Sequence, residues 1–482
     1  MRVFDSDVAV PYTTAGSTYT WSANLHGRDG IHTAARLTAG RNLMTLYRAL
    51  FYEPGHFHAA LTLRRPNPRL APDIHVYATP GPERDAFLTL VERFNTRADR
   101  PTHWRLHLHD GTHLLQRVVE EGRGDFVVVA GRNDTKLETI AYFTQAGLPV
   151  LADKPWLTDS RQLPYLAQVT TEPRVAMDLM TGPYSLRAQV MAQIIHTPEL
   201  FGTFLRHEGP EPAIELASVH HLYKQVNGRP LQRPGWYYDT AVQGDGVVDV
   251  QAHMVAQVQA WVLGETGGDV ERDIVLDSAR CWTTPVPLEL FHDSTGLDIY
   301  PAALQPAVQG RVLQYACNSE IRYRFRGIRV CQRAEWRQRE PEGTGDLHRQ
   351  TLRGSLCEVH LRQDEATGYH ATLHLHPAAG VVLEPILHQV LAQWQERFPG
   401  LAWTPATYGV RLLLPSALDH GHESHFALAL NAFLDHLDRG VWLEALRTRI
   451  RMRYTLLARA RDLALRENTA ALRPTPGPQS LV

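Results

Sequence analysis

The most constraining feature of this chain is a run of short apolar segments alternating with amphipathic helices between Leu43 and Ala152. Arg48–Tyr52, Ile74–Ala78, Trp104–Leu108, Asp125–Ala130 and Leu148–Ala152 read as strands. Between them, His58–Leu63, Glu83–Asn95, Thr112–Glu121 and Lys136–Ala146 read as helices. The second of these carries Phe87, Leu88, Leu90, Val91 and Phe94 at helical spacing. Strands separated by helices of this length form βαβ units and a parallel, doubly wound sheet. Val127–Ala130 is apolar at every position, as befits a strand covered on both faces.

Past Val175 the rhythm becomes irregular. Tyr184–His196 and Val247–Leu263 read as helices. Gly202–Arg206, Asp273–Trp282, Gln314–Tyr323, Gly327–Ala334, Ser355–Arg362 and Ala371–His376 read as strands. The alternation Arg322-Tyr323-Arg324-Phe325-Arg326 indicates an open antiparallel sheet with one polar face. Val381–Arg397, Ser424–Asp438 and Trp442–Arg466 are helical patterns. The expected division is an irregular N-terminal arm over 1–42, an α/β parallel-sheet domain over 43–175, an α+β domain with an open, mostly antiparallel sheet over 176–467, and a disordered tail over 468–482.

Composition narrows the function classes. Apolar residues make up 44% and charged residues 21%, the balance of a soluble globular protein. A net charge of −2 without a basic face argues against a nucleic-acid partner, and no apolar stretch reaches membrane-spanning length. Met1–Asn42 lacks the basic start and apolar core of a secretion signal, and the four cysteines show no C-x-x-C spacing. Reduced thiols in a cytoplasmic protein are the expectation. The 25 histidines cluster mostly at a spacing of two, without H-E-x-x-H or another spacing with a dedicated metal mechanism, so no metal is expected.

Ligands of a doubly wound sheet bind at the carboxyl ends of its strands, and three polar clusters stand there. Glu53-Pro54-Gly55-His56-Phe57-His58 follows the first strand, with one glycine in place of G-x-G-x-x-G and two histidines able to bond phosphate. Tyr77-Ala78-Thr79-Pro80 follows the second strand without the acid that would hold a ribose, and Arg84 is near enough to meet a 2′-phosphate. Gly131-Arg132-Asn133 ends the fourth strand, with Asn133 a ligand contact or a helix cap. Asp153-Lys154-Pro155-Trp156 ends the fifth, where proline keeps the lysine on extended backbone. Only three of the 49 basic residues are lysine: Lys136, Lys154 and Lys224. Lysine is the residue for a compact charge whose pKa can be tuned.

These elements resemble the Gfo/Idh/MocA oxidoreductases. Asp153-Lys154-Pro155 takes the place of that family's Glu-Lys-Pro, with aspartate for glutamate. Asp249-Val250-Gln251-Ala252-His253, after Gly244-Asp245-Gly246, fits its Asp-x-x-x-His on the first long helix of the second domain. The agreement covers roughly residues 43 to 265, and the Pro54-Gly55-His56-Phe57-His58 turn points to a divergent branch. The resemblance implies a Rossmann-like domain followed by a domain on an open sheet, and NAD or NADP as cofactor. It implies Gly55, His56, His58, Gly131, Asn133, Asp153 and Lys154 as cofactor contacts, and Lys154, Asp249 and His253 as the catalytic group. His253 would move the proton, Asp249 would orient substrate or His253, and Lys154 would stabilise alkoxide. His220-His221-Leu222-Tyr223-Lys224 and Trp236-Tyr237-Tyr238-Asp239 offer aromatic faces and polar groups suited to a sugar or cyclic polyol. His220, His221, Lys224, Tyr237 and Tyr238 are the expected substrate contacts.

The expected activity is hydride transfer from a secondary alcohol of a carbohydrate-like substrate, in a homo-oligomer joined through the C-terminal sheet. Three alternatives stand beside it. One is a glycoside hydrolase that keeps NAD bound and oxidises transiently. Another is a non-catalytic sugar-binding or assembly protein with a degenerate cofactor site. The third is a metal-dependent hydrolase or isomerase.

Overall fold

The computed structural model describes residues 46–471, apart from 207, 208, 210, 227, 228 and 420. The arm expected over 1–42, the tail beyond 471 and His420 lie outside the described residues. The first sheet consists of β1 (Ala49–Tyr52), β2 (Asp73–Tyr77), β3 (Arg105–His109), β4 (Phe126–Val129), β5 (Val150–Ala152) and β6 (Ala176–Asp178). The strands are parallel throughout, in the order β3-β2-β1-β4-β5-β6. The order reverses between β1 and β4, which opens a crevice at their carboxyl ends. β4 is buried at all four residues, each such side chain contributing about 1.5–3 kcal/mol on burial. The helix Pro82–Thr96 covers the sheet with Phe87, Val91 and Phe94, and begins with proline and two first-turn acids, Glu83 and Asp85. At three residues β6 is too short to show a period, and it carries the sheet past residue 175.

The second sheet is mixed and open. Its strands are β7 (Ile214–Tyr223), β10 (Ile274–Pro287), β12 (Val312–Phe325), β13 (Ile328–Arg339), β14 (Leu347–Arg353), β15 (Cys357–Gln363), β16 (Thr372–Pro377), β17 (Ala402–Ala406) and β18 (Gly409–Leu413). A small hairpin of β8 (Gln225–Val226) and β9 (Arg229–Pro230) stands apart, and β11 (Val308–Gln309) pairs with β12. The order is β10-β12-β13-β7-β14-β15-β16-β18-β17, antiparallel except where β13 meets β7. The strand expected over Gly202–Arg206 is reduced to a single bridge between Phe204 and Gly354. Gly202 has φ 71°, in the left-handed region, which ends any extended run.

The helix expected over Val247–Leu263 begins at Gln251. Before it the chain turns tightly, with Gly246 N donating to Ala316 O at 3.0 Å and Val247 N to Asp245 Oδ1 at 3.0 Å. The last third of the chain then returns to the first sheet. Phe433, on the helix His425–Arg439, packs on Phe126 with ring centroids 5.3 Å apart. The final helix, Glu444–Ala471, extends past the expected end at Arg466. Its Tyr454 stacks on Trp156, and its Arg453 donates to Asp178 Oδ2 at 2.6 Å. One continuous core therefore runs under both sheets. All four cysteines are buried free thiols, and no described helix is long and apolar enough to cross a membrane.

Candidate active site

At the carboxyl ends of β1 and β4 the turns after Tyr52 and Val129 nearly touch. A Cβ on Gly131 would stand 2.5 Å from Glu53 O and 3.2 Å from Gly55 N, so only glycine permits this approach. The two glycines border a crevice of about 380 Å³, with Thr79, Arg84, Arg132 and Lys136 also in its walls. Gly55 N and His56 N both donate to Ala130 O at 3.0 Å, so the amides that commonly meet a pyrophosphate are taken by the chain. Glu53, held at φ 41°, turns its carboxylate to the end of β2. There it accepts from Thr79 N at 3.2 Å and Thr79 Oγ1 at 2.8 Å. The turn after β1 thus places a carboxylate at the end of β2, where the sequence following β2 has none. Trp236 reaches the crevice from the second sheet's side and donates to Glu83 Oε1 at 3.1 Å.

Beneath the crevice lies a buried ionic network. Lys136, 1% exposed, donates to Asp153 Oδ1, to Asp153 O at 3.3 Å and to Asn133 Oδ1 at 2.5 Å. His56 Nδ1 stands 3.1 Å from Asp153 Oδ2 without hydrogen-bond alignment, and His58 Nδ1 3.3 Å from the same oxygen. Burial alone would raise the Asp153 pKa, but Lys136 and the two imidazoles hold it well below the carboxylate range. Burial lowers Lys136, and Asp153 opposes that shift. His56, His58, Asn133 and Asp153, expected to touch a cofactor, are instead engaged with one another and with Lys136. Asn133 neither caps the helix Lys136–Gln145 nor faces the crevice, because its Nδ2 donates to Gln243 O at 2.8 Å. Gly55 and Gly131 do line the crevice.

Asp153 and Lys154 are consecutive and face opposite ways. Lys154 Nζ donates to Asp249 Oδ1, and approaches Asp249 O at 3.4 Å. Burial opposes ionisation of Asp249, yet Lys154 and then Gln243 bring its pKa below the usual value. Asp249 is thereby the partner of Lys154, whereas the resemblance implied contact with substrate or His253. His253 lies in the first turn of the next helix. Burial, and after it the Lys154 charge, lowers its pKa well below 6.5, so the imidazole is neutral at physiological pH.

His253 opens on a cavity of about 980 Å³ between the second sheet and the loops carrying Thr181–Arg187, Asp419 and Gly421–His425. His220 and Lys224 line it; His221 is buried behind them. Asp346, from just before β14, gathers all three. It stands 3.2 Å from His220 Nδ1 and 3.4 Å from His221 Nδ1, and accepts from Lys224 Nζ at 2.9 Å. Tyr237 and Tyr238 do not reach the cavity: both are buried in a small aromatic cluster with Phe291 and Tyr315, and Tyr238 OH shares a 2.6 Å hydrogen bond with Ser294 Oγ. His56/His58/Asp153 and His221/Glu340/Asp346 are the groups of metal-ligand type that converge among the described residues. In each a lysine ammonium already holds the aspartate, and its charge opposes a cation.

The sequence reading singled out Lys136 only as a rare lysine. Asp346 carried no signal, since its partners are distant in sequence, and Glu53 stood in the first cluster without a role.

A family profile described as the putative oxidoreductase C-terminal domain matches residues 190–465. Among solved structures, a putative oxidoreductase from Parabacteroides merdae ATCC 43184 is 32% identical, covers 87% of this chain and 98% of its own, and superposes with a TM-score of 0.84. Two others share the fold at low identity. An oxidoreductase domain protein from Kribbella flavida is 15% identical over 88% of this chain and 98% of its own, with a TM-score of 0.56. A mutant of KijD10, a 3-ketoreductase from Actinomadura kijaniata, in complex with TDP-benzene and NADP, is 14% identical over 87% and 98%, with a TM-score of 0.51. No curated protein matches the chain.

Proposed function

The chain belongs to the putative oxidoreductase family marked by this C-terminal domain, a divergent branch of the Gfo/Idh/MocA type, and from that premise we propose an NAD(P)-dependent dehydrogenase or reductase. Its substrate is a secondary alcohol, or the matching ketone, of a sugar, glycoside or cyclic polyol. The observation that carries this reading is the Lys154–Asp249 ion pair. It joins the end of β5 to the entry of the His253 helix, where the Lys154 charge acts on the imidazole, and we assign the ammonium and the neutral imidazole to one reacting carbon. KijD10, of like fold, is a 3-ketoreductase found with NADP.

The crevice between β1 and β4 suits a dinucleotide in position and in charge. Gly55 and Gly131 let a ligand approach the backbone, and Arg84 and Arg132 offer guanidinium groups to phosphate oxygens. Phosphate recognition here rests on arginine, because the turn's amides are engaged. Glu53 is placed for ribose hydroxyls. When bound, the nicotinamide supplies the hydride acceptor or donor.

During oxidation, neutral His253 accepts the hydroxyl proton, and Lys154 stabilises the developing alkoxide. Asp249 fixes the position of Lys154 through the hydrogen bond it accepts from Nζ. In reduction His253 first takes a proton from solvent, and the resulting imidazolium passes it to the carbonyl oxygen. We also assign a subunit contact to the polar face of the second sheet, where Arg280, Arg322 and Arg333 surround Glu320. The test is mass spectrometry of the nucleotide released on denaturing the purified protein, together with hydride transfer to or from it in the presence of sugars and polyols. Neither a nucleotide bound at millimolar concentration nor any transfer would overturn the reading.

A further inference from the structure

Arg187 is an unusual residue for its place. It stands in the first turn of the helix Leu186–Ile195, whose first turn holds no acid and whose N-cap is Ser185. The positive end of a helix dipole disfavours a cation there. Arg187 makes no hydrogen bond or ion pair among the described residues, and only the field of Asp419 offsets its charge from a distance. The side chain is exposed, yet what it is exposed to is the cavity shared with His253. Protein surrounds it closely enough for burial to lower its pKa.

The neighbouring groups add to the same field. Lys224 lines the cavity, and the imidazoles of His348 and His422 lie within the influence of Arg187. Of the two acids in the wall, Asp346 is already shared among Lys224, His220 and His221, and Asp419, exposed in the same wall, reaches Arg187 through its field without an ion pair. A guanidinium fork left free beside a helix N-terminus and an ammonium is complementary to an oxyanion with two acceptor atoms. The cavity, at about 980 Å³, has room for such a group beside the sugar ring.

We infer that Arg187, supported by Lys224 and by the N-terminus of its helix, forms a subsite for a negatively charged group of the substrate, a carboxylate or phosphate remote from the reacting carbon. The substrate class is then an acidic sugar or polyol derivative rather than a neutral one. This rests on the oxidoreductase reading of the same cavity.

The test is calorimetric titration of the full chain with glucose, glucuronate and glucose 6-phosphate, for the native protein and for Arg187→Met and Arg187→Lys. At least one acid is expected to bind about tenfold or more tightly than glucose. Arg187→Met should reduce that acid to the level of glucose, and Arg187→Lys should retain part of the preference. Because Arg187 is exposed and unbonded, neither variant should lower the melting temperature of the free protein. Which acid responds separates carboxylate from phosphate. Equal binding of acids and glucose, binding of none of the three, or acid affinity within about twofold of native in Arg187→Met, each overturns the subsite. An acid bound through Arg187 without hydride transfer to or from any nicotinamide nucleotide would instead count against the oxidoreductase reading and leave the subsite standing.

Discussion

Replacing Lys136 by methionine tests whether Asp153 is a structural or a ligand-binding carboxylate. Methionine keeps most of the side-chain volume and removes the ammonium. The loss strips three contacts, two to Asp153 and one to Asn133 Oδ1. It leaves a 2%-exposed carboxylate with only two imidazoles beside it. Removing one member of a buried ion pair costs about 3–5 kcal/mol. Unfolding entropy near 2.1 cal/mol/K per residue, over 482 residues, gives about 1 kcal/mol per degree. The expected fall in melting temperature is therefore about 3–5 °C by scanning calorimetry. Lys136→Met/Asp153→Leu removes both charges and should recover more than half of that loss, since an apolar pair of similar volume tolerates the site. Native-like stability of Lys136→Met, or a double variant as unstable as the summed single variants, would refute the reasoning. So would Asp153→Asn that abolishes nucleotide binding at an unchanged melting temperature, because that would make Asp153 a ligand contact.

His253→Ala should lower kcat by about 10²–10⁴ while the nucleotide Kd stays within about twofold, read by steady-state kinetics and titration; a near-native kcat would remove His253 from proton transfer. His58 and His348 are each pushed by burial to about 3, against an ordinary 6.5. A folded pKa below the unfolded one means full stability above pH 6.5 and loss on acidification, about 1.4 kcal/mol per pH unit for each histidine until pH nears 3. Urea melts between pH 7.5 and 5 should show this slope, and His348→Gln should reduce it by one proton. Glu53 at the end of β2 should repel a 2′-phosphate, so NAD should bind about tenfold more tightly than NADP, and Glu53→Gln should narrow the gap in the same titration.

The parallel sheet was legible because its strands and helices are local patterns: β4 is uniformly apolar, and the helix Pro82–Thr96 shows its buried face at Phe87, Val91 and Phe94. The return of the final helices to that sheet was not, because amphipathicity shows that a face is buried without saying against what. Phe433 gives no hint that its partner is Phe126. The site divides along the same line. Lys154, Asp249 and His253 stand in short motifs, and the first two form an ion pair at the entry to the helix that carries the third. Asp346 is 122 residues from Lys224 and 126 from His220, and no pattern in a single sequence joins them. Tyr237 and Tyr238 misled because aromatic residues with hydroxyls suit a sugar and a core equally well, and only packing separates the two.

The aspartate in Asp153-Lys154-Pro155 acquires a reason from this arrangement. Alternation along extended backbone turns Asp153 toward Lys136, on the helix following β4, and Lys154 toward Asp249, at the entry to the His253 helix. Two consecutive residues thus bind the first sheet's helix layer on one side and the second sheet's helix on the other. Lys154 is the cation of the proposed reaction, and its position depends on Asp153 remaining locked. Restoring glutamate would insert a methylene into a site where carboxylate, ammonium and two imidazoles already meet, at a cost of about 1–3 kcal/mol. Asp153→Glu should therefore displace Lys154 along with the backbone it shares, lowering kcat more than it weakens nucleotide binding. Equal losses in both would mean that the tripeptide serves the cofactor alone.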